Sequence, residues 1–184
     1  MSAGTRIKAF AFDYLLIAGY LVVLLGVGTF LTFGPVEIGW REFMSEPAQA
    51  DFVAFLLTVL PVTLYFALSE ASGARATRGK RRAGIEVVGR NGERIDLARS
   101  LIRSGLKFLP WQLAHTAMFH VPGFPVSPDD PPAWNTAMLV VAWSLVAVYV
   151  VGLTRIGGGR TLYDRLAGTI VRRSDPTPPR RRPR

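Results

Sequence analysis

The chain has no cysteine, which excludes disulfides, thiolate nucleophiles, cysteine-ligated zinc and iron–sulfur clusters. Its two histidines, His115 and His120, leave little for any other protein-built transition-metal site. Neither a metal nor a cofactor is expected. No serine, histidine and aspartate arrangement accompanies the histidines, so the chain does not read as an enzyme. Gly157-Gly158-Gly159 is followed by no Lys-Ser or Lys-Thr pair and reads as a flexible link, not a phosphate-binding loop. Charge is also scarce: only 19% of the 184 residues are charged and 49% are hydrophobic. A soluble domain of this length carries more charge. The net charge of +9 resembles that of a nucleic-acid binder. The basic residues, however, lie between apolar runs and not on one basic domain, so nucleic acid is not an expected partner.

Four apolar runs fill most of the sequence, and about 20 such residues cross a hydrocarbon core about 30 Å thick. Residues 9–33 contain one ionisable residue, Asp13. That run is too long for a cleaved secretory signal and is expected to be retained. Residues 52–68 carry no charge but include Pro61, which a membrane helix tolerates when a neighbouring helix or Thr58 satisfies the freed carbonyl. Residues 133–153 are uncharged, with Trp134 at an interfacial position. Residues 101–121 are punctuated by Arg103, Lys107 and Pro110. There Arg103 and Lys107, four apart on one face, are expected to snorkel to the headgroups while the rest crosses. The reading is an all-α membrane protein of four transmembrane helices, forming one domain over 1–173. Small residues Ala18, Gly19 and Gly26 in the first run suggest close helix packing.

With four spans, every Lys and Arg except Arg41 falls on one side. The positive-inside rule makes that side cytoplasmic, so both termini are expected there, in the plasma (inner) membrane. The tail 174–184 has prolines and arginines but no apolar residue and is expected to be disordered. Its plainest partner is an anionic lipid headgroup, at about 1 kcal/mol per basic residue near the surface.

The loop 70–100 is patterned. Residues 85–88 are β-prone and Asn91-Gly92 suits a hairpin turn, while Asp96 before Arg99 suits a helix N-cap. An offset of 84 residues aligns Thr77, Arg81, Ala83, Gly84 and Val87 with Thr161, Arg165, Ala167, Gly168 and Val171. The two segments are therefore expected to pair as strands in a small cytoplasmic β element. The match breaks at Lys80, where the second copy has Asp164.

Asp13 carries most of the chemical information, because a carboxylate within a span needs a partner or a watery cavity. Arg6, two helical turns earlier, is the expected partner. Two roles are open: a titratable coupling group for protons or cations, or an ion pair that fixes packing. His115 and His120 are weaker candidates for a proton path, and interfacial or core hydrogen bonding is the expected role of each.

Arg6 and Asp13 in the first run, Gly79-Lys80-Arg81-Arg82-Ala83-Gly84 in the loop, and Asp164-Arg165-Leu166-Ala167-Gly168-Thr169 after the last run together resemble the RDD family of membrane proteins. The resemblance covers roughly residues 5–172 and departs at Arg82-Ala83, where that family often has bulkier apolar residues. It implies that Arg6, Asp13 and Asp164 are the family's arginine and two aspartates. It also implies a membrane protein for which ion or ligand transport, including sodium–proton exchange, has been proposed. Two functions stay open: a transport or ion-exchange component, completed by a homo-oligomer or a membrane partner, and a non-catalytic scaffold binding lipid or protein through its basic face.

Overall fold

The computed structural model describes residues 2–34, 39–124, 129–154 and 159–174. The start of the tail is therefore seen only at Ser174, and the expectation of disorder beyond it lies outside the described residues. Helix α1 spans Ala3–Phe33, capped by the Ser2 hydroxyl, which accepts from the Thr5 amide at 3.3 Å. After α2 (Trp40–Ser45), a continuous helical stretch runs through α3 (Pro47–Ala54), a π-helical turn (Phe55–Val59) and α4 (Leu60–Ala71). The loop holds α5 (Arg78–Arg82) and β1 (Ile85–Gly89). Then come α6 (Leu97–Phe119), α7 (Ala133–Leu153), α8 (Leu162–Leu166) and β2 (Thr169–Arg173).

Among the described residues three helices are long and apolar enough to cross a membrane: Ala3–Phe33, Pro47–Ala71 and Ala133–Leu153. Helix α6 has the length, since 23 residues reach about 34 Å, but its charged residues set it apart in composition. It packs between α4 and α7. Its basic residues do not snorkel as expected: Arg103 is 1% exposed and turned into the protein. The cause is a set of buried carboxylates, described below, that gives the guanidinium better partners than a headgroup surface.

Helix α1 buries Ala9, Asp13 and Ile17, four residues apart and hence on one stripe. The rest is largely exposed and apolar, with Leu15, Val22 and Leu25 outward, as befits a helix whose solvent is lipid. Gly19 and Gly26 do not serve close packing as expected, because an added Cβ would meet nothing within 4 Å at either. Proline interrupts two packed helices, and each break is repaired in the same way. Pro61 cannot donate to the Leu57 carbonyl, and the Tyr20 hydroxyl of α1 donates to it at 2.6 Å. Pro110 leaves the Leu106 carbonyl free, and the Tyr149 hydroxyl of α7 donates to it at 2.6 Å. The expected help from Thr58 goes elsewhere, to the Ala54 carbonyl at 2.6 Å.

The repeat seen in the sequence folds as a repeat. Thr77 and Thr161 precede α5 and α8, each a single short helix. Gly84 and Gly168 follow with φ of +64° and +65°, left-handed values that side chains resist. The strands β1 and β2 then pair antiparallel with Val87 opposite Val171. Asn91-Gly92 does turn, with the Gly92 amide donating to Gly89 at 3.0 Å. The segment after it is not a strand, however, so β1 has β2 as its partner in place of a local hairpin arm. Asp96 caps α6 as expected, accepting from the Arg99 amide at 2.7 Å.

The tyrosine repairs give a first prediction. Tyr149→Phe is expected to cost about 1 kcal/mol, the usual worth of an interhelical hydrogen bond in a membrane protein. In a Pro110→Ala background, where residue 110 regains its amide, the same change should cost less. Thermal unfolding of the four proteins in detergent closes this double-mutant cycle.

Candidate functional site

The charged end of the bundle is built from residues far apart in sequence. Arg103 projects from α6 and its guanidinium is shared by two carboxylates. Its Nη1 donates to Glu70 Oε2 at 2.5 Å, and its Nε and Nη2 donate to Asp164 Oδ1 at 3.0 and 2.8 Å. Glu70, in the last turn of α4, also accepts from the Lys80 ammonium. Asp164 also accepts from Arg6 Nη2 at 2.5 Å, while Arg6 Nη1 donates to the Gly159 carbonyl at 2.9 Å. Glu70 and Asp164 are 0% exposed. Charges so far from solvent persist because each is paired and hydrogen-bonded.

Burial alone would raise the pKa of Asp164. The guanidiniums of Arg103 and Arg6 outweigh it and hold the carboxyl well below the usual carboxylate range. Its stabilising contribution is therefore complete above the unfolded pKa, about 3.9, and falls away only in strong acid. Burial pushes the Lys80 ammonium down, against the opposing pull of Glu70. Asp164 also caps its own helix, accepting from the Thr161 amide at 3.4 Å and the Thr161 hydroxyl at 2.8 Å.

Asp13 does not pair with Arg6. Arg6 lies with Asp164, and the two oxygens of Asp13 take neutral donors: the Tyr65 hydroxyl at 2.8 Å, the Thr77 hydroxyl at 2.5 Å and the Gly79 amide at 2.8 Å. The carboxylate thus sits at the start of α5 as Asp164 sits at the start of α8, except that it is supplied by another helix. A helix start offers free amides, and the Gly79 amide is one of the three donors that Asp13 takes. Gly79 permits this approach. A Cβ there would collide with the Ala9 carbonyl oxygen and lie 2.8 Å from the Asp13 carboxyl carbon.

The histidines lie elsewhere. His120 Nδ1 is 2.9 Å from the Thr116 carbonyl, and the His115 ring stands between Trp111 and Phe119. Near them Asp51 accepts from Gln112 at 3.1 Å and Thr116 at 2.8 Å. The structure therefore joins Arg6 to Asp164, leaves Asp13 in an adjoining site and places neither histidine with them. It adds Glu70, Lys80 and Arg103, which sequence reading passed over. Glu70 ends an apolar run, where a carboxylate looks solvated, and Arg103 has the spacing of a snorkelling cation. The one sequence signal was the mismatch of Lys80 and Asp164 in the repeat: each belongs to the network, on opposite charges. Among the described residues no cluster of histidine, cysteine, aspartate or glutamate is set to hold a metal ion.

Beside the network a cavity of about 460 Å³ lies between α1, α6 and α7. Its walls include Phe10, Phe66, Phe108, Trp111, Tyr149 and Val150, with Asp13, Arg103 and Lys107 at its charged end. No described carboxylate forms an ion pair with Lys107. Its Nζ lies over aromatic rings, 3.4 Å from the centre of Phe66, 4.9 Å from Phe10 and 5.0 Å from Phe108.

Two variants test this construction by thermal unfolding in detergent. Arg103→Met leaves two buried carboxylates short of a cation and should cost about 3–5 kcal/mol, with part regained on adding Glu70→Gln. Gly79→Ala should cost about 1–3 kcal/mol by overpacking α1 against α5.

No curated protein and no solved structure matches the chain. The family model that does match, described as the RDD family, covers residues 1–168. Its span takes in Arg6, Asp13, the loop copy of the repeat and Asp164, and with three helices apolar enough to cross a bilayer, it agrees with the architecture built above. The chain belongs to the RDD family of membrane proteins.

Proposed function

We propose that this protein is a transport or ion-exchange component of the plasma (inner) membrane and that the cavity between α1, α6 and α7 is its ligand chamber. The observation that carries the reading is that cavity: about 460 Å³ of space whose lining includes Arg6, Lys80 and Arg103 of the buried charge network. A membrane protein keeps such groups at a cost, and ionisable residues inside a span mark substrate and ion paths. In this reading α6 is a fourth crossing. Its packing between α4 and α7 supports this, as does the inward aim of Arg103, which spares the lipid a charge. Four crossings leave both termini on the Lys- and Arg-rich side, the cytoplasm. One chain makes a narrow bundle, so a second copy or a membrane partner completes the path, and the basic face holds anionic headgroups. The chain works without catalysis.

A second reading, the non-catalytic scaffold, is favoured by one specific observation. Asp13 accepts from Tyr65, Thr77 and Gly79 and so holds α1, α4 and α5 together, which is structural work that needs no titration.

Flux in proteoliposomes separates the two. With wild type and Asp13→Asn at equal yield and oligomeric state, the transport reading expects wild type to move protons against sodium or potassium. Asn keeps the shape and most of the hydrogen bonds while removing the charge, so the variant should fold and lose at least about tenfold in rate, the effect of about 1.4 kcal/mol on a barrier. If neither protein conducts and the variant is only less stable, the scaffold reading stands.

A further inference from the structure

The charges around the cavity do not balance. Arg6, Lys80 and Arg103 face Glu70 and Asp164 within the network, and Lys107 and Asp13 stand outside it. By residue type, four basic side chains meet three acidic ones here. The basic side chain left without a carboxylate is Lys107, held on three aromatic rings and bordering the cavity. An excess of basic over acidic side chains favours an anion beside Lys107. The shape of the cavity narrows the choice. Its lining includes exposed apolar side chains of two helices: Ile7 and Phe10 on α1, Val146 and Val150 on α7. A soluble anion would have to pass those apolar side chains. An amphiphile would enter sideways, chain last, from the lipid that bathes both helices.

We propose that this cavity is a binding site for one acidic phospholipid, its phosphate against Lys107 Nζ and its acyl chains leaving between α1 and α7. The site holds whether the protein transports or is a scaffold, because it rests on the cavity and its charge and not on flux. It differs from surface attraction of headgroups to the basic face, which needs no cavity and no single lysine.

The test uses the full chain, purified in a non-ionic detergent, with native mass spectrometry and thermal unfolding as readouts. Phosphatidylglycerol is the probe, and phosphatidylcholine and glycerol 3-phosphate are the comparisons. Wild type is expected to retain one phosphatidylglycerol and to unfold at higher temperature with it. Lys107→Met should lower that affinity about tenfold or more, the worth of one charge-assisted contact, whereas Lys8→Gln, on the exposed face of α1, should leave it within about twofold, as expected of a charge outside the site. Val150→Trp, which fills part of the cavity without touching the network, should also abolish retention and decides the matter if Lys107→Met does not fold. Equal retention of phosphatidylcholine, or unchanged binding in Lys107→Met, overturns the proposal. So does stabilisation by glycerol 3-phosphate as large as that by the lipid, which would make this a small-anion site. Loss of a dimer in Val150→Trp with no lipid bound to wild type would give the cleft to a second copy and overturn it as well.

Discussion

The guanidinium of Arg103 is the constraint on which the charged end of this protein depends. It sits inside the protein between Glu70 and Asp164, at 1% exposure. A buried guanidinium needs acceptors for a fan of donors, and each carboxylate it meets needs further donors in turn. Glu70 therefore recruits Lys80, and Asp164 recruits Arg6 and Thr161. In this way one side chain on α6 ties together the last turn of α4, the loop helix α5, the start of α1 and the segment after α7. The helices themselves have little reason to hold one geometry, since lipid tails are as apolar as their side chains. The polar network supplies what apolar packing leaves undecided.

The repeated segments show how such a network is seated. Each consists of a threonine cap, one turn of helix, a left-handed glycine and a strand, and the two strands close on each other with Val87 opposite Val171. Each short helix begins at a carboxylate. For α8 it is its own Asp164. For α5 the equivalent position is Lys80, and the carboxylate comes from Asp13 on α1. That difference accounts for an aspartate within an otherwise apolar helix: Asp13 docks α1 onto the loop, and without it α1 would have few attachments at that end. The same difference places Lys80, in the position where its counterpart is an acid, beside Glu70.

The cavity follows from this arrangement. α1 is fastened at its charged end through Asp13 and Arg6, and farther along through Tyr20 on the Leu57 carbonyl, and it shares the lining of the cavity with α6 and α7. Aromatic side chains line the cavity in place of a packed interface, and Lys107 lies among them. Fastening at a few polar points, with apolar space between them, distinguishes this bundle from a coiled coil in which knobs fill every hole.

Much of this was legible in the sequence. The apolar runs marked the helices, with 133–153 matching α7 end to end, because a span must be apolar along its length and nothing else in a chain looks alike. The offset repeat disclosed the strand pairing, since a threonine cap, a glycine at positive φ and a β-branched strand each demand particular residue types. Asp13 stood out because a carboxylate within a span is costly, and Asp164 through the repeat and the family motif in which it stands. Who pairs with whom was not legible. Arg6 lies seven residues from Asp13 and 158 from Asp164, yet it chose the latter, for a helical spacing says which face a residue occupies and nothing about what the rest of the chain brings to that face. Glu70, Arg103 and Lys107 looked like surface charges, because a charged residue near the end of an apolar run reads the same whether it meets headgroups or a buried counter-ion. Composition and local pattern thus determined the membrane helices, the caps and the paired strands. Only the tertiary structure decided the charge network, the neutral seat of Asp13 and the cavity, since each depends on distances between segments that no local interaction sets.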